Sequence, residues 1–226
     1  MAEQRPKGIS RRDLLRTASV AGAAAAVGQT GSAAQEPGTA SARAATYEHL
    51  TAEEAELLEA IADHLIPADD NGPGALDAGA VHYIDRSLGG AQSGSRDDYH
   101  SGLAAFDRYC RVTRNARFVD LEHTDQISAL LDMQTGGASG ARVGFLGSSA
   151  ALFSMLRAHV LHGTFGDPYY GGNRDFIGWK LLGYPGPRVS VTTVDQRRLE
   201  AGELEAEYQS AYDWDSFVRS EDAEDA

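Results

Sequence analysis

The chain has 226 residues with 20 basic against 33 acidic side chains, a formal charge of −13, which argues against nucleic acid or an anionic bilayer as a partner of the bulk surface. Its single cysteine, Cys110, rules out an internal disulfide and any iron–sulfur or zinc site built from four thiolates of this chain. Lys7 and Lys180 are the only lysines; so many carboxylates with so little lysine suit a protein kept soluble at high salt, and the composition predicts a halophilic source.

Residues 1–45 read as a targeting segment rather than as fold. Ser10-Arg11-Arg12-Asp13-Leu14-Leu15-Arg16 is a twin-arginine pattern, followed by an alanine-rich run from Thr17 to Gly28 that is too short and too mild for a membrane span. Small residues before and after Ser41 and Arg43 place cleavage after Ala42 or Ala44. Arg11 and Arg12 are thus the expected export signal, the twin-arginine translocase the expected carrier, and the outer face of the cytoplasmic membrane, the periplasm or the exterior the expected destination. That route accepts folded cargo and suits proteins loaded with a cofactor before export. On a chain with no cofactor motif of its own, it suggests the escort of another subunit.

The remainder reads as all-α: a compact bundle of about five to six helices over 46–187, with a Gly/Tyr-rich loop, and an acidic, partly disordered tail over 188–226. Thr51 and Glu54 form a capping-box pattern, Leu50 sits in the staple position, and Leu57, Leu58, Ile61, Leu65 and Ile66 make one apolar face that Pro67 ends. Asp63 and His64 point in different directions on that helix and read as solvated surface. Asp69, Asp70 and Asn71 form an acidic turn that lacks the alternating carboxylates and closing glutamate of a calcium loop. A second helix is predicted from Asp77 to Leu88, and a third from Arg96 to Thr113 with Leu103, Phe106 and Cys110 on one stripe, Cys110 being a small buried hydrophobe. Arg108, Arg111, Arg114 and Arg117 are spread around and beyond that helix and read as a charged outer face. A fourth helix is capped by Thr124 or Asp125 and carries Ile127, Leu130, Leu131 and Met133. Gly136–Gly147 matches neither a dinucleotide nor a P-loop fingerprint and reads as a flexible loop near an interface. The fifth helix, Ser148–Phe165, sets His159 and His162 three apart; that spacing suits half of a metal site, but no motif completes one, and the pair reads as hydrogen-bonded interface or core histidines. Phe176–Leu182 is a short helix anchored by Trp179. In the tail only Arg188–Val194 alternates, and Tyr212-Asp213-Trp214-Asp215 is a candidate docking patch.

The least ordinary stretch is Gly166-Asp167-Pro168-Tyr169-Tyr170-Gly171-Gly172-Asn173-Arg174-Asp175. Adjacent glycines allow close backbone approach, and tyrosines with an arginine supply the contact area and planar donors favoured in interfaces. The same residues also suit an internally satisfied loop in which Arg174 bridges Asp167 or Asp175.

From His159 to Gly186, with Leu50–Pro67 upstream, the chain resembles the gluconate 2-dehydrogenase subunit 3 family, the small subunit of membrane-associated flavin dehydrogenases. The resemblance is carried by His159, Gly163, Asp167-Pro168, Tyr170-Gly171-Gly172-Asn173-Arg174-Asp175, Gly178-Trp179, Gly183 and Pro185-Gly186. The family usually has an acidic residue where this chain has His162, so a role for that carboxylate does not carry over. The resemblance implies a non-catalytic subunit that binds a large, FAD-carrying dehydrogenase of the glucose-methanol-choline type, helps it mature and provides its export signal. Electrons in that family go onward, often through a cytochrome subunit, and no cofactor is expected in this chain. It also implies a partner interface formed by His159, Asp167, Pro168, Tyr169, Tyr170, Gly171, Gly172, Asn173, Arg174, Asp175 and Trp179. Two alternatives remain: a stand-alone oxidoreductase or hydrolase using His159, His162, Asp167 or Asp175 for acid/base chemistry, and a sugar-binding module stacking on Tyr169, Tyr170 and Trp179.

Overall fold

The computed structural model describes residues 47–141, 143–188 and 190–214. The leader with Arg11 and Arg12, the segment Ser220–Ala226 and Asp215 of the tail patch lie outside the described residues. Within them the fold is all-α, with seven α-helices and no strand: α1 Ala52–Leu65, α2 Ala80–Gly89, α3 Arg96–Arg114, α4 His123–Gln134, α5 Ser149–Phe165, α6 Ile177–Leu182 and α7 Thr193–Ala201. The described residues of the alternating segment form no strand, and Thr193 and Val194 begin α7 behind a Thr192/Asp195 capping box.

Helix α1 starts as its sequence dictates. The Glu54 amide donates to Thr51 Oγ1 at 3.3 Å while the Thr51 amide donates to Glu54 Oε2 at 2.9 Å. Ala55, Leu57, Leu58, Ile61 and Ala62 are buried, whereas Leu65 and Ile66 lie at the core edge. His64 is not simple surface: it shares a 3.0 Å hydrogen bond with Gln126 and stacks on His123.

Two helix starts differ from the pattern reading. Helix α2 begins at Ala80, because Gly79 adopts a left-handed conformation (φ 75°) that no α-helix continues through, and Asp77 instead accepts the Gly74 amide. Helix α4 begins at His123, and its inward stripe is shifted. Ile127 and Leu131 are 42% and 52% exposed, and Ala129, Leu130 and Met133 face the core. Gln126 donates its side-chain Nε2 to the Phe118 carbonyl at 2.9 Å, which turns this polar residue, with its i+3, i+4 and i+7 neighbours, inward.

Helix α5 is the hub, contacting α1, α2, α3, α4 and α6. Two glycines let its neighbours come close. A Cβ on Gly102 of α3 would lie 2.6 Å from Leu152 of α5, and a Cβ on Gly163 of α5 would lie 2.8 Å from the Ala80 backbone of α2. On α3, Tyr99, Leu103, Phe106 and Cys110 are buried, and burial pushes the Cys110 thiol up to about 12, so it packs as an inert hydrophobe. Arginines on and just after α3 tie elements together, Arg114 to Asp132 at 2.6 Å, Arg117 to Glu56 at 2.8 Å and Arg108 to the Val143 carbonyl at 2.7 Å, while Arg111 pairs within α3 with Asp107 at 2.9 Å. Arg108 thereby holds the glycine-rich stretch at Val143, and among its described residues Ala138 and Val143 are buried and Ser139 accepts the Ser149 amide, so the stretch is anchored at these points. In the acidic turn, Asp69 spends its carboxylate on the amide and side chain of Asn71, and no described group of three His, Cys, Asp or Glu side chains is placed to hold a metal.

The entrance to α1 is held by a side chain that patterning does not single out. Asp85 of α2 is buried, and its carboxylate accepts the amides of Glu48, His49 and Leu50 at 2.8, 2.8 and 3.0 Å. Hydrogen bonds to a charged acceptor contribute about 1.5–3 kcal/mol each, and deletion strands the three donors. Asp85→Ala is expected to cost about 3 kcal/mol in urea unfolding, with Asp85→Asn intermediate; a midpoint unchanged by Asp85→Ala would contradict this role.

Candidate functional site

The Gly166–Asp175 segment divides into an inner half welded to α5 and an outer half facing solvent. Gly172 and Asn173 form the inner half, together with Gly178 and Trp179 of α6 just beyond it. A Cβ on Gly172 would lie 2.1 Å from the Gly163 carbonyl oxygen, and one on Gly178 would lie 2.0 Å from that of Thr164, so only glycine fits at either place. Asn173 is fully buried. Its amide donates to the Gly163 carbonyl and its Nδ2 to the Gly166 carbonyl, both at 2.7 Å, while its Oδ1 accepts the Gly178 amide at 2.8 Å. Two carbonyls at the end of α5 and an amide at the start of α6 are thus satisfied by one residue, the Gly163 carbonyl by its backbone and the other two groups by its side chain. Trp179 is also buried, donating Nε1–H to the Phe165 carbonyl at 2.9 Å and packing on Phe176 and Tyr184.

Tyr169, Tyr170, Gly171, Arg174 and Asp175 form the outer half, with Pro168 partly covered. Tyr169 and Tyr170 are 50% and 46% exposed and meet edge to face. Arg174 does not bridge Asp167 or Asp175. Its amide bonds to the Ala78 carbonyl at 3.0 Å, and its exposed guanidinium lies over Gly79, with no ion pair among the described residues. Asn173, Asp175 and Phe176 all hold positive φ, at 43°, 53° and 58°. Such conformations cost non-glycine residues about 1–3 kcal/mol each and cluster where a surface is pre-shaped for a ligand. Beside this half, an apolar groove of about 440 Å³ runs between Tyr83, Leu161, Phe165 and Tyr170, with His162 and Asp167 at its edge.

His159 stands apart from the loop's outer half. Its Nδ1 shares a 2.8 Å hydrogen bond with the buried Tyr99 hydroxyl, and the rings are parallel, so it joins α5 to α3. Burial, with His162 as the smaller cause, lowers the His159 pKa, and burial raises that of Tyr99, so a neutral imidazole faces a protonated phenol. Asp167 has both oxygens committed. Oδ1 accepts the Tyr169 amide at 3.0 Å and the Ser210 hydroxyl at 2.6 Å, and Oδ2 accepts the Ala211 amide at 2.9 Å. Tyr212 follows, stacked on Tyr169 with ring centres 4.0 Å apart and hydrogen-bonded to the Tyr170 hydroxyl. The tail patch was legible as sticky; that it sits on this chain's own loop was not, because no local pattern links positions 43 apart.

Two outcomes follow. Asn173→Ala strands the Gly166 carbonyl and the Gly178 amide and places a Cβ-bearing residue without a local hydrogen bond in the left-handed region. It is expected to cost about 2–4 kcal/mol in chemical denaturation, with Asn173→Asp losing less; equal stability of Asn173→Ala and wild type would contradict it. For His159, a lowered folded pKa means that the unfolded chain takes up the proton first, so stability is present at neutral pH and falls as pH drops through the ordinary imidazole range. The loss in urea midpoint between pH 7.5 and 5.5 should shrink in His159→Gln; an unchanged pH dependence would show that this group does not contribute.

Comparison with family models matches residues 52–186 to Gluconate 2-dehydrogenase subunit 3. Neither the curated proteins nor the solved structures return a match. The matched span runs from the start of α1, through the hub helix and the whole loop, to the turn that follows α6. It covers more than half of the chain, and the chain therefore belongs to the gluconate 2-dehydrogenase subunit 3 family.

Proposed function

We propose that this chain is a non-catalytic accessory subunit that docks on a flavin-dependent dehydrogenase subunit of the glucose-methanol-choline type, helps it mature and accompanies it through twin-arginine export. Membership of a dehydrogenase-subunit family supports the partnership. The observation that carries the docking site is the division of the loop. Its inner half is satisfied by α5, and its outer half, in which Asp175 holds a left-handed conformation, offers two half-exposed tyrosines and an arginine without an ion pair among the described residues. Aromatic and arginine side chains on a pre-organised surface are the groups that dominate interface energetics.

FAD belongs to the partner in this reading, and the geometry of the glycine-rich loop accords with that. Four amides in and just after it are taken: those of Gly171, Asn173 and Arg174 by the carbonyls of Pro168, Gly163 and Ala78, and that of Gly178 by Asn173. The acid/base candidates are similarly engaged, Asp167 by Tyr169, Ser210 and Ala211, and His159 by Tyr99. The leader supports export to the outer face of the membrane, the periplasm or beyond, and the acid-rich, lysine-poor composition supports a high-salt setting there.

The chain should co-purify with the dehydrogenase subunit encoded beside it, while flavin absorbance and dye reduction stay with that subunit; either of them travelling with the isolated chain would contradict the proposal. Arg174→Ala is expected to weaken association about tenfold or more without changing the chain's own stability or the turnover of assembled enzyme. Undiminished association would remove Arg174 from the interface. Trp179→Ala is not an equivalent test, since that side chain is buried within this subunit.

A further inference from the structure

We infer that residues 203–214 form a displaceable latch over the docking loop, competing with the dehydrogenase subunit for Tyr169 and Tyr170. The inference rests on the accessory-subunit reading. The family match ends at residue 186, so the segment that returns to the loop is an addition to the matched domain. Its path is well marked. The Glu207 amide donates to the Pro185 carbonyl at 3.0 Å, and Tyr208 lies over Phe176 and under the Lys180 ammonium at 5.9 and 5.5 Å. Ser210 and Ala211 then bind the Asp167 carboxylate, and Tyr212 stacks on Tyr169 and bonds to Tyr170.

These are the contacts of an interface made within one chain: a hydroxyl and an amide on a carboxylate, and a phenol on phenols. They are also peripheral. Of residues 203–214 only Ser210 is buried, and Tyr208 remains exposed. A segment with so few buried apolar groups opens at far lower cost than the helical core. The docking surface is therefore free only in the fraction of molecules whose latch is open, and apparent affinity for the partner is reduced by that fraction. The latch would shield exposed aromatic surface before assembly and give way to the larger interface afterwards.

The test compares wild type with a chain ending at Gln209 and with full-length Tyr212→Ala, the second guarding against misfolding of the first. In the isolated chains, nitration of Tyr169 and Tyr170 by tetranitromethane, read by mass spectrometry, should quicken severalfold in both variants; unchanged rates would overturn the latch. Titrated with the dehydrogenase subunit, both variants should bind about tenfold more tightly than wild type. Equal or weaker binding would overturn the inference and leave the accessory reading standing. Failure of all three forms to bind would instead sink the accessory reading, and the competition inferred here with it.

Discussion

Gly163 is the point at which three parts of the chain meet without a side chain between them. A Cβ at this position would run into the Ala80 backbone at the start of α2, its carbonyl accepts the Asn173 amide, and Gly172 packs onto that same carbonyl. Any larger residue at 163 or 172 would drive α2 or the loop away from α5. The hub position of α5 transmits the constraint: the helix that touches most of the bundle also fixes where the characteristic loop begins. A rigid loop here is a consequence of backbone packing, and the buried Asn173 completes it by satisfying the groups that a helix end leaves open.

That arrangement explains how one short segment serves both structure and recognition. Half of its distinctive residues face inward and hold α5 to α6; the others face solvent, on a turn closed by left-handed conformations at Asn173, Asp175 and Phe176. Rigidity lowers the ordering cost of binding, which is the physical advantage of building a docking site this way. The tail packed across it shows that the same tyrosines are competent to make contacts, since they already make them with Tyr212.

What could be read from the sequence was what depends on neighbours within a few positions. The α1 capping box, the stripe on α3, the burial of Cys110 and the all-α class follow from periodicity and short-range chemistry, and the structure agrees. Longer-range forces account for the rest. The inward stripe of α4 is turned by a bond from Gln126 to Phe118, and the α2 start is delayed by a left-handed glycine. Asp85 holds amides 35–37 positions earlier, and Asp167 binds a tail 43–44 positions later. No periodicity encodes such pairs. The loop was recognisable by composition, yet which of its residues point inward was decided by the close approach of Gly172 and Gly178 to α5.

The most direct test of the account is a hydrogen-exchange footprint of the chain with and without the dehydrogenase subunit. Protection gained on binding should centre on Tyr169–Phe176 and the rim of the adjoining groove, while the buried face of α5 stays as slow as before. Protection confined to the exposed side of α4, around Ile127 and Leu131, with the loop unchanged, would contradict the claim that this loop is the docking site.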